Sequence, residues 1–211
     1  MDKKSNKTSS NSTEDSRLTI KAAESLVPKY LRLIQSGFMV RAVTGVSIKS
    51  FLCRQVGLSE DYFEERIQTL FLDSKPVDDV TAACIRDGSR LALSAAMPGV
   101  AGALFRKGGR YSAMRKGISY ESHDVISDEE VGWVTIKLFN LILKELGPFF
   151  LSKGVWLEGK AVKDFLSQPP ESLRGNILKV EMNENAIDLE ALLSQEWSEK
   201  HVFTKIISEI E

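Results

Sequence analysis

Residues 67–109 decide the fold class and read IQTLFLDSKPVDDVTAACIRDGSRLALSAAMPGVAGALFRKGG. Residues 67–72 are an apolar run rich in strand-forming side chains, and the Asp-Ser pair that follows is typical of a turn. Residues 75–77 can form only a short edge strand, because their proline cannot donate a hydrogen bond to a neighbouring strand. The Asp-Gly pair at 87–88 then turns the chain into a second apolar strand at residues 90–94. This stretch therefore predicts a small β-rich fold.

The residues before this stretch predict a hairpin and a helix. Residues 30–35 and 38–43 read as two strands, and the Ser-Gly pair between them suits a tight turn. Ser47 is a helix-capping residue, and apolar side chains recur at helical spacing in the residues after it. Gly57 suits the end of that helix. The order hairpin, helix, strand, short strand, strand is the order of the β-grasp fold.

The segment FLDSKPVDD…IRDGSRLALSAAMPGVAG resembles the second half of the ubiquitin-like sulfur carriers of molybdopterin and thiamine biosynthesis. Those proteins have a Lys-Pro-Val turn, an Asp-Gly turn before an apolar strand, and then a proline and a closing Gly-Gly. Residues 73–77, 87–93 and 98–102 correspond to these three elements. The resemblance covers residues 30–102 and implies a β-grasp fold. A sulfur carrier acts through the free carboxylate of its last glycine, so the same activity here would require a protease to expose Gly102 or a later glycine.

The second part of the chain predicts helices. Residues 127–130 match a capping box, and the apolar run at 131–146 predicts a helix that is buried on most of its circumference. Within it, Phe139 is expected to face the core, and Gly147-Pro148 is expected to end the helix. The remaining expectations are strands at 155–157 and 177–182, a helix capped by Asp188, and an amphipathic segment at 201–210.

These patterns predict an α+β protein with four regions. They are a disordered tail at 1–16, a β-grasp-like domain at 28–104, a basic glycine-rich connector at 105–124 and an α-rich region at 125–211. The charge is divided between them, because residues 1–120 carry 19 Lys and Arg against 12 Asp and Glu, and the rest carry 9 against 17. Such a division indicates either an anionic partner for the first part or docking of the two parts on one another.

The connector contains the candidate binding residues. They are Arg106, Lys107, Gly108, Gly109 and Arg110, and no acidic residue occurs between Asp87 and Glu121. Arginines and lysines beside glycines can hold a phosphate or an acidic partner. The alternative is a solvated loop that neutralises the acidic second part. The isoelectric point near 6.2 argues against a nucleic-acid-binding protein.

Catalytic, metal and membrane functions find little support in the sequence. Cys53 and Cys84 lie in apolar runs without zinc-ligand spacing, which predicts free thiols in a reducing, cytoplasmic compartment. His123 and His201 have no nearby nucleophile or carboxylate partner, so we expect surface histidines. The longest apolar run is interrupted by charges, which argues against a membrane span. We therefore expect no catalytic residue, no metal and no cofactor.

The function expected from these observations is a noncatalytic protein-interaction or adaptor module. Its partner would be another protein or an anionic ligand, bound at a sheet edge, at the connector or at an apolar surface of the second region. The alternative is a sulfur-carrier-related protein or an enzyme of cofactor metabolism.

Overall fold

The computed structural model describes residues 16–23, 27–96, 99–115, 117–120, 130–167, 177–194 and 201–209. Its strands are β1 Arg17–Ala23, β2 Phe38–Val43, β3 Thr69–Leu72, β4 Lys75–Pro76, β5 Arg90–Ser94, β6 Val131–Phe139, β7 Val155–Glu158, β8 Ile177–Met182, β9 Asn185–Ala186 and β10 His201–Glu209. Its α-helices are α1 Val27–Ile34, α2 Ile48–Ser50, α3 Glu60–Arg66, α4 Gly99–Phe105, α5 Asn140–Lys153, α6 Gly159–Ser167 and α7 Leu189–Ser194. A π-helical turn, Phe51–Val56, continues α2.

The described strands form one mixed sheet in the order β4-β3-β5-β6-β2-β7-β10-β1-β8-β9. The α+β class predicted from the sequence is confirmed. The sheet has ten strands and is larger than the β-grasp sheet that we expected. Strands of both predicted regions interleave in it, since β6 lies between β5 and β2. The region predicted to be α-rich is mixed, because its described part contributes five strands besides three helices. Where the chain divides into separately folding units stays a prediction.

The core lies between one face of this sheet and the helices. Alternate side chains of a strand point to opposite faces, and in β6 the residues Val134, Ile136 and Leu138 are buried. Helix α5 covers them, and its Phe150 ring packs 4.8 Å from the ring of Phe38. Trp133, Thr135, Lys137 and Phe139, which alternate with them, point away from this core.

Several local predictions are confirmed. Strands β2 and β5 lie where their alternation and turn signals placed them, and β4 is a two-residue edge strand. The hydroxyl of Ser47 accepts a hydrogen bond from the Ser50 amide at 3.2 Å, as expected of a helix cap. Gly57 ends this helical segment with a φ of 90°, which glycine adopts without a steric penalty. The Asp188 carboxylate accepts a hydrogen bond from Ala191 at the start of α7.

The strand predicted at residues 30–35 is wrong, because this segment belongs to helix α1. Tyr30, Leu33 and Ile34 are all buried, and their spacing places them on one helical face. The hairpin predicted around Gly37 is therefore wrong as well. The Gly37 amide instead donates to the carbonyl of Ile34 and closes the helix end.

The helix predicted at 131–146 is wrong over its first nine residues, which form strand β6. The run is buried at alternate positions only, and the β-branched and aromatic residues in it favour a strand. Phe139 is 40% exposed, which contradicts the expectation that it faces the core. Asn140, with a φ of 51°, turns the chain sharply into α5.

Gly147 and Pro148 do not end the helix, because α5 runs through both residues to Lys153. A Cβ atom at Gly147 would collide with the Leu31 side chain, so glycine permits the close approach of α1 and α5. Packing of this helix against the core outweighs the hydrogen bond that proline removes. The amphipathic segment at 201–210 forms strand β10, which pairs parallel with β1. Residues 1–15 of the predicted tail and 127–129 of the predicted capping box lie outside the described residues.

Candidate functional site: a cationic and aromatic sheet face

The predicted binding residues of the connector are mostly engaged inside the protein. Arg106 Nε donates to Gln68 Oε1 at 2.9 Å. Lys107 Nζ donates to Glu64 Oε2 at 3.1 Å and lies 4.4 Å from the ring centroid of Phe63. The hydrogen bond from Lys107 lowers the pKa of the Glu64 carboxyl. Two of the predicted anion ligands thus contact acceptors in the first half of the chain.

The rest of the connector is anchored through Asp78. Its carboxylate accepts a 3.2 Å bond from the Gly108 amide and a 2.6 Å bond from Arg115 Nη2. The Gly109 amide donates to the Arg106 carbonyl, which makes a turn. Arg110 is exposed and makes no ion pair with any acid in the described residues. The contacts seen are therefore with the first region rather than with the acidic second region, and anion binding by residues 106–110 stays a prediction.

A second group of cations lies on the sheet face that points away from the core. The register defines this face, because Arg41 lies opposite Trp133, Met39 opposite Trp156, and Phe203 opposite Trp156. We call this surface the open face. Its members used below are Arg17, Arg41, Arg90, Trp133, Lys137, Trp156, Phe203 and Lys205.

Three aromatic rings form a row across the open face. The ring centroids of Trp133 and Trp156 are 5.3 Å apart with an interplanar angle of 83°, and those of Trp156 and Phe203 are 5.5 Å apart at 63°. Edge-to-face pairs of this kind are favourable. Arg41 lies over the Trp133 ring at 5.5 Å, and Arg17 lies over the Phe203 ring at 5.0 Å. Arg17 on β1 therefore lies beyond Phe203, whereas Arg41 on β2 lies between the strands that carry Trp133 and Trp156.

Several cations of the open face make no ion pair with a described acid, although two carboxylates share this face. Glu158 lies opposite His201, and Glu181 lies opposite Thr19 and pairs with Lys179. None of five side chains makes an ion pair with an acid in the described residues: Arg17, Arg41, Arg90, Lys137 and Lys205. Elsewhere in the described chain, cations do pair with carboxylates, as Lys49 does with Glu60 and Arg66 with Glu145. A cluster of unneutralised like charges creates a positive potential that attracts an anionic partner.

A cavity of about 1080 Å³ adjoins the open face where strand β2 begins. Arg90, Lys137 and His201 contribute its basic groups, and Glu158 is its carboxylate. Aromatic rings from Phe71, Phe105, Phe139 and Trp156 line its walls. The cavity extends the open face into a concave surface that combines cations with apolar rings, which suits binding.

The described residues hold no cluster of side chains suited to binding a metal ion. No group of three or more His, Cys, Asp or Glu side chains comes together among them. The two cysteines are free, and burial raises the pKa of the Cys53 thiol, which makes that thiol less reactive at neutral pH. The open face and its cavity are therefore the candidate site.

Comparison with protein families, with curated proteins and with solved structures found no match to this chain. The role of the open face therefore rests on its own geometry and charge. In the described ranges, no helix has both the length and the apolar character needed to cross a membrane.

Proposed function

We propose that the protein is a noncatalytic binding module that holds an anionic partner against its open face. The observation that carries this proposal is the set of five cations on one sheet face, none of which pairs with a described acid. Bringing like charges together costs free energy, and an anionic partner would offset this cost on binding. The neighbouring rings would supply apolar contact area.

The sheet edges fit a partner less well than the face does. Edge strand β4 has two residues, one of which is Pro76, and edge strand β9 also has two residues. Short edge strands and edge prolines hinder pairing with a foreign strand. The face thus replaces the sheet edge as the proposed contact surface of an interaction or adaptor module.

Retention on heparin at low salt tests this proposal, since heparin is a generic polyanion. We expect the double variant Arg41→Glu, Lys205→Glu to elute at clearly lower salt than the unaltered protein. The matched control is Lys144→Glu, Lys160→Glu, which makes the same change of charge on helices α5 and α6. Equal elution of the two double variants would contradict the proposal, and thermal unfolding of each variant checks that it is folded.

A β-grasp relationship of residues 28–104 also stays a proposal, and the strand order supports it. Strands β2, β3, β4 and β5 are joined to the helical segment in the predicted order, but the predicted first strand is missing from its place. Strand β6 occupies that place, because it pairs antiparallel with β2 and parallel with β5. A β-grasp sheet completed by a later strand would have this arrangement.

No particular observation favours the sulfur-carrier alternative over the binding module. Gly102 lies within helix α4 and is buried. A carrier terminus has to be flexible and free to react, so cleavage after Gly102 would first have to release this helix. An enzyme of cofactor metabolism likewise stays an untested alternative.

A further inference from the structure

We propose that the anionic partner of the open face is a single-stranded nucleic acid. In this inference, which rests on the proposed function, the bases stack on the partly exposed rings of Trp133 and Phe203 and the phosphates pair with the cations of the face, while Trp156, 7% exposed, supports the two rings from between them. The three arguments for it are the span of the cations, the rings among them and the position of these groups on a sheet face.

The span of the cations fits an extended polyanion. They are distributed over β5, β6, β2, β10 and β1, which belong to six consecutive strands of the sheet. Neighbouring strands lie about 4.8 Å apart, so the distance from Arg90 on β5 to Arg17 on β1 is about 24 Å. One small anion cannot contact all five groups, whereas a chain that carries a charge on every unit can contact them in succession.

The rings among the cations favour a nucleic acid over an acidic peptide. Trp133 and Phe203 are partly exposed, and the buried Trp156 packs between their rings. Arg41 lies over the Trp133 ring and Arg17 over the Phe203 ring. Each nucleobase has a π face that stacks on an aromatic ring or on an arginine laid over a ring. An acidic peptide would engage the cations but has no comparable use for a row of rings.

The face of a sheet also favours a single strand over a duplex. Direct reading of duplex DNA needs an element that enters a groove, such as a helix or a two-stranded ribbon. The residues of the open face instead belong to the interior strands β5, β6, β2, β7, β10 and β1. Bases that are already unstacked can lie across such a surface.

The acidic overall charge does not contradict this inference, because it is an average over all surfaces. Glu64, Asp78 and Glu145 lie away from the open face and are paired with cations. Of the two carboxylates on the face, Glu181 is paired with Lys179 and Glu158 lies in the cavity. Attraction depends on the local potential of the surface that the ligand approaches.

The experiment is a titration of the full-length protein with a fluorescein-labelled twelve-residue oligothymidine and oligouridine over a series of salt concentrations. On a single strand, the logarithm of the affinity falls with a slope of about −0.7 against log salt for each neutralised phosphate, so five contacts predict a slope of about −3.5. Arg41→Ala should reduce the steepness by about 0.7. Phe203→Leu should weaken binding roughly tenfold because a stacking platform is lost.

Lys144→Ala is the matched control, since it removes an exposed cation from α5 on the core side of the sheet and should leave affinity and slope unchanged. Phe203 packs on Gly154, where a Cβ atom would collide with the ring, so Phe203→Leu could also affect folding. Thermal unfolding of that variant is therefore measured, and Lys205→Ala, which removes no packed ring, supplies a second variant with an expected slope change of about 0.7.

Four outcomes would overturn the inference. The first is binding of a twelve-residue polyglutamate as tight as that of the oligonucleotides at equal ionic strength, which would point to an acidic protein partner. The second is equally tight binding of a DNA duplex, and the third is an unchanged slope in both cation variants. The fourth is absence of oligonucleotide binding. If heparin retention still depends on the open face, only the nucleic-acid inference fails; if retention is independent of that face, the proposed function fails as well.

Discussion

Replacing Asp78 by alanine should destabilise the protein far more than replacing its partner Arg115 by methionine. The Arg115 side chain is 1% exposed, and its Nη2 atom donates to Asp78 at 2.6 Å and to the Arg106 carbonyl at 3.0 Å. Its Nε and Nη1 atoms have no hydrogen-bond partner among the described residues. Asp78 therefore supplies the ion pair on which this buried charge depends.

The expected loss of unfolding free energy depends on which charged or polar groups each variant leaves without a partner. Asp78→Ala leaves a buried guanidinium without a counter-charge, and breaking a buried pair in this way costs about 3–5 kcal/mol. Because the Asp78 side chain is one-third exposed, at 33%, water can reach the pair, and we expect a loss of about 3 kcal/mol. Arg115→Met removes the charge together with two unsatisfied donors. Asp78 then remains hydrated and bonded to Gly108, so the expected loss is below about 1 kcal/mol.

Urea unfolding followed by circular dichroism measures both free energies of unfolding, with Glu65→Ala as a control that removes one exposed carboxylate nearby. The free energy of unfolding of the double variant Asp78→Ala, Arg115→Met should be close to that of Arg115→Met alone, because the double variant has no buried guanidinium that lacks a counter-charge. The reasoning is refuted if Asp78→Ala costs no more than the control. It is refuted equally if Arg115→Met is as costly as Asp78→Ala, since the guanidinium would then contribute more than a charge in need of a partner.

Three further predictions concern the strand, the core and the connector. Ile136→Ala should cost about 2–5 kcal/mol in chemical unfolding, whereas Phe139→Ala should cost less than about 1 kcal/mol, because the first side chain is buried and the second is partly exposed; equal losses would contradict the strand assignment. Burial raises the pKa of Tyr30 to about 12, above the unfolded value near 10, so its contribution to stability is complete below pH 10 and declines as the pH rises towards 12. Tyr30→Phe should show a smaller alkaline loss and, because it removes an unpartnered buried hydroxyl, a gain of up to about 1 kcal/mol at pH 7; an unchanged pH profile would refute this. Arg106→Ala with Lys107→Ala should lower the melting temperature at low salt and less so at high salt, and an unchanged melting temperature would mean that their contacts contribute nothing.

The predictable parts of the fold are those in which local signals agree with one another. Strand β5 follows an Asp-Gly turn, and both the turn and the alternation of Leu91 and Leu93 favour a strand. The segment after Ser47 likewise combines a cap, helical spacing and a terminal glycine. Each of these signals acts within a few residues, so tertiary contacts do not have to be known in advance.

The wrong predictions concern segments in which apolar residues are frequent enough to fit both the helical period and the strand period. In α1, a Tyr-Leu-Arg-Leu-Ile run alternates like a strand, but its buried side chains also recur at helical spacing. In the run that begins at Val131, apolar residues on both faces suggested a buried helix, although alternate positions face the core and the open face. The choice between the two depends on neighbours that are distant in sequence, such as β2 and β5 on either side of β6. The alternation of Val134, Ile136 and Leu138 with other residues also fits a strand at residues 131–139.

The candidate site shows the same limitation more sharply, because charge in a sequence is counted along segments whereas a ligand meets it on a surface. The connector was predicted to bind an anion because Arg106, Lys107 and Arg110 lie within five residues. The first two of these side chains, however, donate hydrogen bonds to acceptors of the protein itself. The cations of the open face are single residues on five different strands, and no window of the sequence brings them together. They become a cluster only through the strand order and register, which place Trp133 opposite Arg41 and bring Lys137 beside β5, and a helix assigned to residues 131–139 gives neither pairing. Pairing within the protein is thus the physical criterion that separates the two groups: a cation already bonded to a carboxylate has little attraction left for a partner, and one that lacks such a neighbour keeps it.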